Sequence, residues 1–176
     1  MGRNKKTVTM DEEKLAKMST FEKLKLIDDY SQLFHYELSQ IPYSELAVSE
    51  KGKAESIAEE YYRKKGFQVY RSRVNDGYRC IGVEFYWKEY EGKISESDRK
   101  LIQLLRGILS PEEFEELAMV VQEKNGTPDL LLIIDNKISF VEIKFNYETV
   151  KSSTVEFFLR YGHKWPISIL RIIRNT

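Results

Sequence analysis

Hydrophobic positions recur along this chain with two different periods. Over 53–65, Ile57, Ala58, Tyr61 and Tyr62 fall at helical spacing, and Gly66 supplies the stop. Residues 67–70 then alternate as a strand does, and Asn75-Asp76-Gly77 is a turn signal. The aromatic and β-branched run at 80–87 predicts a further strand. A helix is expected over 96–109. Another follows to about Glu123, with Ser110 as N-cap, Pro111 at the first helical position and Glu113 completing a capping box. Asn125-Gly126-Thr127-Pro128 breaks the chain. The apolar run 129–134 reads as a buried strand, Asp135-Asn136-Lys137 as a tight hairpin, and 138–144 as its partner strand. Ser152 or Ser153 can cap a helix that carries Phe157, Phe158 and Tyr161 and ends at Gly162, and 166–173 is the last strand.

The front of the chain reads differently. Residues 11–18 predict a short helix. Ser19 offers an N-cap with Glu22 three residues on, and Leu24, Ile27, Leu33 and Phe34 recur at helical spacing. Pro42 interrupts, and 44–49 predicts a further helical turn. Residues 1–50 are therefore expected to form an N-terminal helical extension. From Lys53 onwards the order is helix, strand, an inserted section at 75–126, strand, strand, helix, strand. This predicts an α/β fold over 51–176, with a central mixed sheet of four or five strands and helices on both faces.

Composition changes this picture little. With 176 residues the chain has enough length for one core without staples. Cys80 is the single cysteine, so an internal disulfide is excluded and an intracellular, reducing compartment is expected. No apolar run reaches the ~18 residues that span a membrane, and MGRNKKTVTM lacks the apolar stretch of a secretory signal. Formal net charge is zero, so no basic total announces a nucleic-acid partner. Charge is instead local. Basic residues gather at Arg63, Lys64, Lys65, Arg71 and Arg73 and at Arg160, Lys164, Arg171 and Arg174; acidic ones gather at Glu112, Glu113, Glu115 and Glu116. Tyr61, Tyr62, Tyr70, Tyr78, Phe85, Tyr86, Trp87 and Tyr90 make the middle aromatic, which reads first as core packing and second as base stacking. His35 and His163 have no partner pattern.

The candidate chemistry lies in the hairpin. Alternation puts Glu142 and Lys144 on one face of their strand and Val141, Ile143 and Phe145 on the other. Pairing the two strands brings Asp129 towards Glu142. Two converging carboxylates suit a hard cation such as Mg²⁺ or Mn²⁺, and the Ile143 carbonyl offers another oxygen. Lys144 is then placed to orient a nucleophilic water or to stabilise charge on phosphorus.

Pro128-Asp129, a twelve-residue gap and Glu142-Ile143-Lys144 resemble the PD-(D/E)xK nuclease motif. Residues 53–67 resemble the helix that precedes it, where an acid stands three residues before a small residue and eleven before a glycine. Glu55 fits, with Ala58 and Gly66, and Glu59 is the fallback one turn along. Lys151-Ser152-Ser153-Thr154-Val155-Glu156 is similar to the segment after the motif in the VRR-NUC branch, which is Holliday-junction-resolvase-like. Glu156 departs from it by standing where that branch commonly has Gln, and the 75–126 insertion is a second departure.

The resemblance covers 53–173 apart from the insertion. It implies a restriction-endonuclease-like core and a metal-dependent nuclease. Asp129, Glu142, Ile143 and Glu55 would hold Mg²⁺ or Mn²⁺, and Glu55, Asp129, Glu142 and Lys144 would form the catalytic set. It implies DNA as substrate, with RNA left open, endonuclease ahead of exonuclease action, a cytoplasmic or nucleoid-associated location, no membrane partner, and a homodimer as one arrangement. Plainer readings stand beside these. Asp129 suits any turn exit, Glu142 and Lys144 suit the solvent face of an edge strand, and Glu55 suits any charged helix turn. The competing functional reading is a catalytically silent nuclease-fold module that binds nucleic acid or scaffolds other proteins.

Overall fold

The computed structural model describes residues 36–43, 53–73, 76–82, 94–122, 127–145, 151–162 and 164–174, together with 14, 17–19, 22, 25 and 148. In chain order the elements are β1 (Tyr36–Tyr43), α1 (Lys53–Lys64), β2 (Gln68–Arg71), α2 (Glu96–Ile108), α3 (Pro111–Val121), β3 (Leu130–Ile134), β4 (Lys137–Phe145), α4 (Ser152–Tyr161) and β5 (Ile167–Arg174).

Local chemistry sets the ends of these elements. At the end of α1, Phe67 N–H donates to Tyr62 O and Gly66 N–H to Arg63 O, while Gly66 takes φ +90°. This paired closure needs a residue at ease in the left-handed region. Ser110 caps α3 with the full reciprocal box: Glu113 N–H to Ser110 Oγ at 3.2 Å and Ser110 N–H to Glu113 Oε2 at 2.9 Å. Ser19 and Glu22 make the same box near the N-terminus, at 3.2 and 2.7 Å. Asp135 and Asn136 take φ +48° and +60°, the two left-handed residues that a two-residue hairpin requires. α4 starts after Lys151, which makes no side-chain cap, so the expected Ser152 or Ser153 cap does not form the boundary.

The five strands run in the order β1-β5-β4-β3-β2. β2–β3 and β3–β4 pair antiparallel, and β4–β5 and β1–β5 pair parallel, so the sheet is mixed. Each of its faces is buried. On one, Leu131, Ile133, Ile138, Phe140, Ile167 and Ile169 join the apolar residues of α2, α3 and α4. On the other, Val69, Leu130, Leu132, Val141, Ile143, Leu170 and Ile172 join Ala58 and Tyr62 of α1. Helices on both faces explain why β3 and β5 are near-continuous apolar runs rather than alternating ones.

Two further expectations are corrected. The 1–50 segment is not a purely helical extension: all eight residues of Tyr36–Tyr43 pair with β5 as the sheet's edge strand. Its weak alternation hides it, and Pro42 is tolerated because an edge position leaves one row of backbone groups without a ladder partner. The helices expected at 11–18, 20–35 and 44–49 lie largely outside the described residues. The strand expected at 80–87 instead opens as a helical turn at 80–82, where Cys80, Ile81 and Gly82 N–H groups donate to Gly77, Tyr78 and Arg79 carbonyls. That turn buries Tyr78, Cys80 and Ile81 together, which an extended chain with alternating side chains does not do. Residues 83–87 lie outside the described set. Cys80 is buried and its thiol approaches the Asp98 carbonyl at 4.0 Å.

Candidate active site

The β3–β4 hairpin builds the site. Its register pairs Leu130 with Val141, so one step further Asp129 comes opposite Glu142. Asp129 stands just ahead of β3, and its Oδ2 accepts the Ile143 backbone N–H at 2.7 Å. In an extended strand the N–H and C=O of one residue point to the same side. The Ile143 carbonyl therefore also aims towards the Asp129 side of β4.

Glu142 and Lys144 share the face of β4 that carries Phe140, and both are buried, at 6% and 7% exposure. The alternative that they form a solvent-facing edge is thereby excluded, since β4 lies between β3 and β5. Lys144 Nζ donates to Glu142 Oε1 at 2.6 Å, and Thr154 Oγ1 near the start of α4 approaches the same oxygen at 3.5 Å. Phe140 is packed edge-on by Tyr78, Phe157 and Trp165, with ring centroids 5.7, 5.8 and 6.4 Å away. Glu142, two residues along the same face of β4, is itself buried.

The electrostatics follow. Burial first, and the neighbouring Asp129 charge second, push Glu142 up to about 7, against the pull of Lys144 and Thr154. Asp129 is also raised, chiefly by burial, with the charges of Glu55 and Glu148 adding to it and the Ile143 N–H and Lys144 opposing it. Two carboxylates that burial and mutual charge make reluctant to ionise are the donor chemistry a hard divalent cation relieves. The oxygen donors that fit such an ion are the two carboxylates and the Ile143 carbonyl. Among the described residues, no group of three His, Cys, Asp or Glu side chains converges tightly enough to form a complete cage.

The helix acids separate clearly. Glu59 is committed to Arg71, which donates from Nε at 2.7 Å and from a terminal nitrogen at 3.1 Å, with Arg63 at 3.8 Å. Glu55, half-buried in the first turn of α1, makes its charge felt at both Asp129 and Arg71. Glu156 is half-buried on α4.

Sequence reading missed several participants. Thr154 lies in the first turn of α4, within the 151–156 segment where the sequence singled out Glu156 and not this hydroxyl. Glu148 had none: it is exposed, accepts Phe145 N–H at 3.1 Å, and receives an Arg171 guanidinium bond at its carbonyl, 3.0 Å. Tyr78, in the insertion, donates its hydroxyl to Pro128 O, the carbonyl immediately before Asp129. Burial pushes the Tyr78 phenol up, so it stays a donor.

Comparison with known families and with curated proteins gives no match to any family model or any curated protein.

Proposed function

We propose that the chain is a metal-dependent nuclease that hydrolyses phosphodiester bonds of DNA, built on a restriction-endonuclease-like core. The observation that carries this reading is the corner where Asp129, held by the Ile143 N–H at 2.7 Å, comes opposite the buried Glu142–Lys144 pair, joined at 2.6 Å. The order α1-β2-β3-β4-α4-β5, with the insertion between β2 and β3, supports it: Asp129 stands just ahead of β3, Glu142 and Lys144 lie on β4, and Glu55 lies on α1.

In this mechanism Asp129, Glu142 and the Ile143 carbonyl would hold Mg²⁺ or Mn²⁺, and Glu55 would contribute its charge from α1. The ion, when bound, supplies positive charge that stabilises the phosphoryl oxygens and activates water. Lys144 leaves Glu142 to donate to the nucleophilic water or to a non-bridging phosphate oxygen. Attack by the water oxygen would form a P–O bond as the ester P–O bond breaks, with the water's proton passing to solvent and the leaving alkoxide taking a proton from solvent. Burial of Glu142 and Lys144 strengthens these charge interactions.

A second reading, a silent nuclease-fold module that binds nucleic acid or a protein partner, is favoured by the incomplete carboxylate cage among the described residues. Calorimetric titration of Mn²⁺ into the protein and into Glu142→Gln separates the two. The nuclease reading expects saturable binding that the variant loses. Absence of binding to either protein supports the silent module.

A further inference from the structure

We propose that Tyr78 is a positioning residue for Asp129, and that the 75–126 insertion acts on the nuclease corner through it. The inference rests on the metal-site reading above.

Asp129 is held at three points. Its Oδ2 takes the Ile143 N–H at 2.7 Å. Its own carbonyl takes the Ser72 N–H at 2.9 Å. The carbonyl before it, Pro128 O, takes the Tyr78 hydroxyl, and the Ser72 side chain hydrogen-bonds the same phenol. The first tether comes from the motif strand, but the other two come from the loop that follows β2. That loop is in turn fixed by α2. The Asp98 carboxylate, 2% exposed, accepts Asp76 N–H and Gly77 N–H, each at 3.1 Å. Tyr78 N–H closes the loop on Arg71 O at 2.9 Å. A continuous path therefore runs from Asp98 through Gly77 and Tyr78 to the peptide that carries Asp129.

Rigidity explains the need. An acid just outside β3, with a proline before it, depends on these few bonds to fix its backbone. A small rotation of the Pro128–Asp129 peptide would swing the carboxylate off the Ile143 N–H and away from Glu142. Groups that orient a ligand without touching the ion characteristically change affinity or rate by ~10–100-fold when lost.

The test compares wild type, Tyr78→Phe and Asp98→Asn by two readouts: Mn²⁺ affinity by calorimetry, and kcat and KM for cleavage of a labelled DNA duplex. Tyr78→Phe keeps the ring against Phe140 and removes only the hydroxyl. The expectation is an Mn²⁺ affinity and a kcat each lowered ~10-fold or more, an unchanged KM, and a folded protein by circular dichroism. Should Tyr78→Phe fail to fold, Asp98→Asn, which keeps the volume and one acceptor, carries the same expectation at smaller size. Wild-type affinity and kcat in folded variants, with only a lower Tm, would make Tyr78 structural and overturn this inference alone. A wild type that neither binds Mn²⁺ nor cleaves DNA would overturn the metal-site reading and this inference with it.

Discussion

Lys144 donates to Glu142 at 2.6 Å across two residues of one strand, and both side chains are buried on the same sheet face. The ammonium thus occupies one oxygen of the carboxylate that the nuclease reading gives to a cation. Removing one partner of such a pair leaves a buried charge without compensation. Lys144→Met is expected to abolish cleavage. Its stability cost grows with pH, because Lys144 holds the Glu142 pKa down and its loss lets Glu142 rise further. Near neutral pH the cost reaches about 3 kcal/mol. Glu142→Gln together with Lys144→Met recovers much of it. Urea unfolding of the single and double variants at pH 5 and 8 checks this.

The pH dependence of the metal-free protein follows from Glu142. A carboxyl whose native pKa lies above its unfolded value binds more protons folded than unfolded. The resulting stability is present below the ordinary value of 4.5 and is lost as pH rises through about 7. The protein in EDTA is expected to lose on the order of 3 kcal/mol across that interval. Mn²⁺, which favours the ionised form, should raise Tm more at pH 8 than at pH 5.5. Denaturation profiles at stepped pH measure both; a flat metal-free profile would count against the buried carboxylate pair.

The two helix acids are expected to part company under mutation. Glu59→Gln weakens the clasp on Arg71 and should cost about 1–2 kcal/mol of stability while leaving cleavage near wild type. Glu55→Gln should do the reverse, lowering activity with little change in Tm. Activity and thermal melts of the two variants side by side decide it, and equal behaviour would remove Glu55 from the site.

Gly77 is sterically required. A Cβ there would lie 2.4 Å from Arg71 O and 2.7 Å from Arg73 N, both backbone atoms of the same turn. Gly77→Ala is expected to destabilise the fold by about 1–3 kcal/mol, read as a lower urea midpoint. An unchanged midpoint would contradict the tight packing of this loop.

Much of the fold and site is legible in the sequence because local signals and long-range packing agree there. Ser110-Pro111 and Glu113 specify a helix start by themselves, and Asp135-Asn136 specify a hairpin whose register carries Asp129 to Glu142. The motif positions on β4 need only the alternation of a strand. β1 was illegible because its stability comes from pairing with a strand more than a hundred residues away, and its own side chains alternate poorly. Residues 80–82 misled because the aromatic and β-branched content of 80–87 favours a strand, whereas hydrogen bonds back to Gly77, Tyr78 and Arg79 and the burial of Cys80 and Ile81 hold a helical turn. Tyr78, Asp98 and Glu148 act through backbone groups distant in sequence or within a loop, and no spacing rule encodes such contacts.

The central claim is tested most directly by incubating labelled single-stranded, duplex and branched DNA with wild type and Asp129→Ala, in Mg²⁺, Mn²⁺ or EDTA. The account predicts cleavage by wild type that requires the metal and is lost in EDTA and in Asp129→Ala, while the variant keeps its fold. Cleavage that persists in Asp129→Ala, or wild-type protein that cuts none of these substrates with either metal, would contradict it.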